Sequence, residues 1–264
     1  MPREKAAWQN NRSKVMKILI IRHGEPDYIK DSLTPRGFQE AEYLSERIAK
    51  LDVKEFYVSP LGRAKDTASF TLEKMGREAI ECEWLREFAP RVIRPDKDVE
   101  HVAWDWLPED WTKHEPFYQY DHWYEHEIFD RAKIGGEPVT LKAEYEWITT
   151  NFDELLKKHG YVREGHYYRV EQANNDTIVF FCHFGLGCVL LGHLLGISPM
   201  VLWHGFCAAP TSVTTVVTEE RRKGIASFRM SAYGDTSHLY VKDQEPSFSA
   251  RFCECYDNEN ERRD

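Results

Sequence analysis

Residues 18–28 read ILIIRHGEPDY: four aliphatic residues, then Arg22, His23 and Gly24, then charged and turn-forming residues. The unbroken apolar run is the pattern of a parallel strand covered on both faces. Such a strand ends by delivering an arginine and a histidine side by side. Neighbours within a strand point to opposite faces, so Arg22 and His23 can serve one ligand only where the strand stops and the chain turns. Gly24 makes that turn sterically easy.

Working outward, LTPRGFQEAEYLSERIAK (33–50) places Thr34 as a helix N-cap and Pro35 at the first helical position, with Leu44, Ile48 and Leu51 recurring at helical spacing. EFYVSPLGRAKDTASFTLEKMG (55–76) repeats the theme: a strand to Val58, Ser59 as cap, then a helix closed by Gly76. EAIECEWL (78–85) reads as a third strand. VTLKAEYEWITTNFDELLKKHG (139–160) reads as a long helix, followed by a short extended excursion and turn. TIVFFCH (177–183) is the next buried strand and FGLGCVLLGHLLG (184–196) the next helix. TSVTTVVTEE and IASFRMSAYG then form two further strands, expected to be antiparallel.

Strands alternating with helices imply an α/β fold, a three-layer α/β/α sandwich with a mostly parallel central sheet. Between about 88 and 136 the regularity fails. This stretch is crowded with tryptophan, tyrosine and phenylalanine, and from Asp96 to Asp130 it carries eleven carboxylates against two lysines. It is too aromatic for a disordered linker and is expected to be an ordered, aromatic-rich inserted cap with an acidic surface, most simply a small subdomain with its own core. The expected organisation is a flexible N-terminal extension over 1–15, one domain over 16–245 that carries the cap, and a polar tail over 246–264.

The 264 residues carry a formal charge of -9, which argues against a general nucleic-acid partner. An anion site must therefore be local. The N-terminus lacks the apolar region of a signal peptide, and six cysteines without a CxxC pair fit a reduced, cytoplasmic protein. Residues 177–203 are apolar enough to invite a membrane reading, but His183 and His193 interrupt them, and a buried strand followed by a buried helix fits better.

In open α/β sheets, ligands bind beyond the carboxyl ends of the strands. Three of the expected strands end there in polar residues: Arg22 and His23, Ser59 with Arg63 just beyond, and His183. Two arginines and two histidines at one edge make a compact positive site in an acidic protein, and the arginine fork matches phosphate oxygens. A phosphoryl group is the natural ligand, since its transfer depends on positioning and charge neutralisation. A histidine can act as nucleophile, and Glu87, just after the third strand, is well placed to protonate a departing alkoxide. Glu81 and Glu83 fall inside that strand and are weaker donors. A carboxylate from the cap is the alternative.

At these residues the chain resembles the histidine phosphatase superfamily, in the branch that includes the cofactor-dependent phosphoglycerate mutases and related phosphatases. IRHGEPDY is similar to its signature, LTPRGFQEAEYL to its following helix, SPLGRAKDTA to its second motif, LRE to its acid-donor motif and FFCHFGLG to its second histidine motif. The five occur in family order from about Met16 to His238. The resemblance implies that His23 is the phosphorylated nucleophile, that Arg22, Arg63 and His183 bind the phosphoryl group, that Glu87 is the proton donor, and that neither metal nor cofactor is needed.

Departures from the mutase pattern lie at EFAPRVIRP (87–95), which lacks the arginine-rich sequence, and at Tyr28, where mutases carry asparagine. Phe184 is bulkier than the residue usual after the second histidine. Losing mutase contacts favours hydrolysis, so the expected activity is that of a phosphatase acting on a small phosphomonoester, with Tyr28 among the substrate-binding residues. A mutase-like phosphotransferase and a phospho-ligand binding module with little catalysis stay open as alternatives. Arg86, Arg91 and Arg94 would have to face inward for the acidic cap to tolerate a polyanionic substrate. His122 and His126 lie four apart but without a matching ligand motif, so packing or exposure is preferred to a metal site. His193, His204 and His238 are expected to be structural.

Overall fold

The computed structural model describes residues 14–248 together with 257 and 258. Nearly all of the expected extension over 1–15 and most of the tail over 246–264, with Cys253 and Cys255, lie outside the described residues.

The strands in chain order are β1 (Lys17–Arg22), β2 (Pro26–Asp27), β3 (Ser32–Leu33), β4 (Glu55–Val58), β5 (Ile80–Glu81), β6 (Arg91–Ile93), β7 (Glu100–Val102), β8 (Lys133–Ile134), β9 (Glu137–Pro138), β10 (Tyr161–Glu164), β11 (Tyr167–Val170), β12 (Thr177–Cys182), β13 (Val213–Arg222) and β14 (Ile225–Asp235). The helices are α1 (Pro35–Ile48), α2 (Gly62–Met75), α3 (Pro108–Trp111), α4 (Leu141–Lys158), α5 (Phe184–Leu195), α6 (Pro199–Gly205) and α7 (Ser237–Tyr240). Eight strands form the central sheet in the order β10-β11-β14-β13-β1-β12-β4-β5. The β1, β12, β4 and β5 pairs are parallel, and the other half is built from antiparallel neighbours. Only β13 and β11 run against the common direction, so the sheet is mostly parallel in strand direction.

The centre of the sheet is apolar on both faces, as the unbroken aliphatic runs require. Ile18, Ile20, Tyr57, Ile178 and Phe180 face α4 and α5, where they meet Ile148, Phe152, Leu186 and Leu190. Leu19, Ile21, Phe56, Val58, Val179 and Phe181 face α1 and α2, against Leu44, Ile48, Ala64 and Ala68. These are the three layers. No helix among the described residues is long and apolar enough to cross a membrane.

The α1 start follows expectation: the Thr34 hydroxyl accepts from Gly37 N at 3.1 Å, a cap worth about 1 kcal/mol. Leu51 lies beyond the helix and is partly exposed. Several local expectations are corrected. Ser59 does not cap α2, whose N-cap is Leu61 and has no side-chain capping bond. The third strand shrinks to two residues, and Glu83–Leu85 close a 3-10 turn. The excursion after α4 is a full hairpin, β10 and β11, that widens the sheet. A separate helix, α6, follows the buried α5.

Residues 88–136 hold a small sheet in the order β7-β6-β8-β9. Their aromatic residues do not form a core of their own. Phe88, Trp104, Trp106, Phe117, Trp123 and Phe129 belong to the same buried cluster as Ile20 and Phe180 of the main sheet. Trp123 packs edge-on against both Trp203 of α6 and Tyr145 of α4. The cap is thus a continuation of the main core.

The first part of the C-terminal stretch is also tied down. Buried Ser247 donates its N–H to Glu40 Oε1 at 3.3 Å and its hydroxyl to Glu25, while Glu40 Oε2 accepts from Glu25 N at 3.0 Å. Burial pushes the Glu40 carboxyl up to about 7, against the opposing pull of the Glu25 backbone N–H and Arg36. The folded state therefore holds a proton that the unfolded chain releases near 4.5. Stability should fall as pH rises from there through about 7. Glu40→Gln should flatten this part of the stability profile measured by chemical denaturation. An unchanged slope would show that Glu40 is not its source.

Candidate active site

Strands β1 and β12 end together. Arg22 sits in register with Cys182, and the His23 N–H donates to Cys182 O at 3.0 Å. His23 and His183 thus reach the same carboxyl edge, with ring centroids 5.2 Å apart and planes inclined by 58°. Both are buried. Gly24 has ordinary backbone geometry, which corrects its expected role: a Cβ there would lie 2.7 Å from Gly37 O, so glycine is needed because α1 approaches closely.

His23 Nδ1 lies 2.7 Å from Gly24 O. A carbonyl only accepts, so the neutral ring carries its proton on Nδ1 and presents a lone pair on Nε2. His183 Nε2 lies 2.7 Å from Ser59 Oγ, which itself accepts from Leu61 N at 3.2 Å. With the hydroxyl proton directed at Nε2, the buried Nδ1 of His183 becomes a donor with no protein partner. Burial first, and neighbouring charge second, hold both imidazoles well below their ordinary range: Arg22 and Arg63 act on His23, and His23, Arg63 and Arg22 on His183.

Arg22 donates from Nη1 to Ala208 O at 2.6 Å, and its guanidinium lies 5.5 Å from the Phe184 ring centre. Arg63, in the first turn of α2, pairs with Asp31 at 2.5 Å, and the Tyr28 ring stands 5.4 Å from its guanidinium. The other Asp31 oxygen accepts from Gly62 N at 2.7 Å, so one carboxylate both steadies the start of α2 and orients Arg63. Glu87 Oε1 accepts from Phe88 N at 2.8 Å and Leu186 N at 2.9 Å. Burial raises its carboxyl, outweighing the Leu186 N–H, Arg63, the Phe88 N–H and Arg22, which all favour the charged form. Oε1 accepts both N–H groups, so a proton on this carboxyl sits on Oε2.

The structure brings together Arg22, His23, Arg63, His183 and Glu87. Tyr28 stands at the rim, 63% exposed. Phe184 is accommodated by packing edge-on against Trp104 of the cap, with ring centres 5.7 Å apart. A cavity of about 20 Å³ lies behind the site, lined by Arg22, His183 and Phe184 among others. Larger cavities of about 510 and 580 Å³ lie at the amino ends of β4 and β12 and on the cap. Charge convergence, not volume, locates the site.

Sequence reasoning missed Ser59 as the partner of His183 and Asp31 as the partner of Arg63. The arginines considered for the cap are engaged elsewhere: Arg86 with Glu144, Arg91 with Glu100 O, and Arg94 with Asp96. His122 is exposed beside Glu125, and His126 packs on His114 and Phe117. Among the described residues no group of three potential ligands is arranged to hold a metal ion. His193 contacts Asp153 and Tyr120, His204 accepts from Trp106 N, and His238 meets Thr211.

Residues 18–134 match the model of the histidine phosphatase superfamily, branch 1. A serine/threonine-protein phosphatase, mitochondrial Pgam5 of Drosophila yakuba, is 34% identical over 106 residues, covering 36% of this chain and 35% of that protein. A 2,3-bisphosphoglycerate-dependent phosphoglycerate mutase of Thermoplasma acidophilum is 34% identical over 83 residues, covering 27% of this chain and 42% of that protein. The chain thus spans well under half the length of these curated relatives. Among solved structures, a phosphoglycerate mutase of Bacillus anthracis superposes with a TM-score of 0.58 at 16% identity, covering 88% of this chain and 98% of its own. A phosphoserine phosphatase of Entamoeba histolytica gives 0.54 at 22% identity, covering 85% and 99%. The last two likenesses concern the fold. Together with the motif match over residues 18–134, the fold and the edge where its histidines meet, they show what this chain is similar to: the histidine phosphatase superfamily, branch 1.

Proposed function

We propose that the protein is a metal-independent phosphomonoester hydrolase working through a phosphohistidine at His23. The observation that carries this reading is the Nδ1 contact to Gly24 O, which leaves Nε2 as a buried, unprotonated nucleophile between Arg22 and Arg63. Nε2 attacks phosphorus as the bond to the leaving oxygen breaks, and Glu87 gives its proton to that oxygen. The Gly24 carbonyl stabilises the positive charge that develops on the ring. Arg22, Arg63 and His183 Nδ1–H neutralise the phosphoryl oxygens. Water then attacks the phosphohistidine, Glu87 takes its proton, and the N–P bond breaks to release inorganic phosphate.

The substrate class is a small phosphomonoester whose leaving group passes Tyr28 at the rim. The names of the phosphatase relatives and structural neighbours support hydrolysis. The mutase relative supports a phosphotransferase as second reading. A reducing, cytoplasmic setting belongs to the same proposal.

The protein should hydrolyse an aryl phosphate in EDTA and be inhibited by vanadate. His23→Ala should lose turnover by about 10³-fold or more. Full activity in that variant would overturn the mechanism. Phosphoglycerates should yield free phosphate, and isomerisation without release would favour the mutase reading. Arg63→Met should lower kcat by about 10²-fold, and a change confined to KM would deny it a role in the transition state. With an alkyl phosphate, kcat/KM should rise as His23 of the free protein loses a proton below pH 6.5 and fall as Glu87 loses its proton above pH 4.5. A limb on the wrong side of either value would contradict the assigned protonation states.

A further inference from the structure

Trp104 brings the cap to the chemistry. Trp104 follows β7 in a turn that includes Asp105 in the left-handed region, at φ 69°. Arg94, itself 3% exposed, holds this turn. Its Nη1 donates to Trp104 O at 3.0 Å and to Asp105 O, while Nε and Nη2 grip Asp96 at 3.1 and 3.0 Å. A buried arginine that uses both ends of its fork in this way fixes the backbone it holds.

The turn delivers the indole over the first residues of α5. A Cβ on Gly185 would lie 2.9 Å from Trp104 Nε1 and 2.9 Å from Glu87 Oε1. Indole and carboxyl therefore share the space that glycine leaves open. Phe184 extends the same apolar wall by its edge-on contact with Trp104.

We propose that Trp104 is a positioning residue for Glu87: the Arg94-held turn sets its indole beside the carboxyl over Gly185 and shields one side of it from water. This rests on the reading of Glu87 as proton donor. The groups facing Glu87 explain why a wall is required. Arg63 of α2 and Arg22 of β1 and the N–H groups of Leu186 and Phe88 all favour the carboxylate. The buried Cys182 and Cys188 thiols, on β12 and α5, are themselves held protonated, chiefly by burial. Desolvation opposes the cations, and since Glu87 is only partly buried, the Trp104 wall contributes to it.

The test is a carbon-13 carboxyl titration by NMR of the resting protein, with the Glu87 signal assigned by its loss in Glu87→Gln. Trp104→Ala should bring the Glu87 midpoint down toward 4.5, and Trp104→Phe should lower it less. Arg94→Met should act in the same direction as Trp104→Ala, and it serves with Trp104→Phe should the alanine variant fail to fold. In turnover, the tryptophan variants should lose about tenfold or more on an alkyl phosphate, with the high-pH limb moved to lower pH, yet change little on an aryl phosphate whose leaving group needs no proton. An unmoved Glu87 midpoint in the folded variants, or equal losses on both substrates, would overturn the proposal. The titration needs no turnover, so a failed phosphatase reading would show separately, as absence of hydrolysis by the wild-type protein.

Discussion

Two buried, neutral imidazoles held between two guanidinium groups are the arrangement on which the rest of this molecule turns. An imidazolium there would meet Arg22 and Arg63 at low dielectric, and burial already disfavours it. Arg63 is paired with Asp31, and in the proposed reaction a phosphoryl group adds negative charge beside both guanidinium groups, in a protein whose net charge is -9. The acidic exterior and the positive edge are therefore compatible: the cations are concentrated where the strands end.

The supporting structure serves to hold those groups still. Parallel register between β1 and β12 places both histidines at one level. Each functional side chain is then fixed by a second group: His23 by Gly24 O, His183 by Ser59, Arg63 by Asp31, Arg22 by Ala208 O, and Glu87 by the N–H of Leu186. Glycine appears where backbones or side chains must nearly touch, at Gly24 against Gly37 and at Gly185 beneath Glu87 and Trp104. The cap joins this arrangement by sharing the main core, with Trp104 packed on Phe184 beside the second histidine.

Much of this was legible in the sequence because it is local. The aliphatic run before Arg22, the Thr34 cap and the αL glycines Gly76 and Gly196 each state their structure within a few residues. The family motifs in order pointed to His23, Arg63 and His183. What was not legible is non-local. Ser59 has the local signature of a helix cap, but its partner lies 124 residues away. Asp31 lies in a short loop that says nothing of Arg63 until the fold brings them together. The cap has no period to read, and its aromatic residues looked self-sufficient because composition does not tell what they pack against. The sheet's antiparallel half was only partly visible, since the β10 and β11 hairpin is short and polar at its turn.

The central claim is that His23 Nε2 takes the phosphoryl group. It is tested most directly by trapping the enzyme during turnover at alkaline quench, with nitrogen-15 histidine labelling and phosphorus NMR of the isolated protein. The account predicts a single phosphohistidine, phosphorylated on Nε2 of His23 and absent in His23→Ala. A phosphoryl group on Nδ1 or on His183, or steady turnover with no phosphoenzyme under conditions that preserve an added phosphohistidine standard, would contradict it.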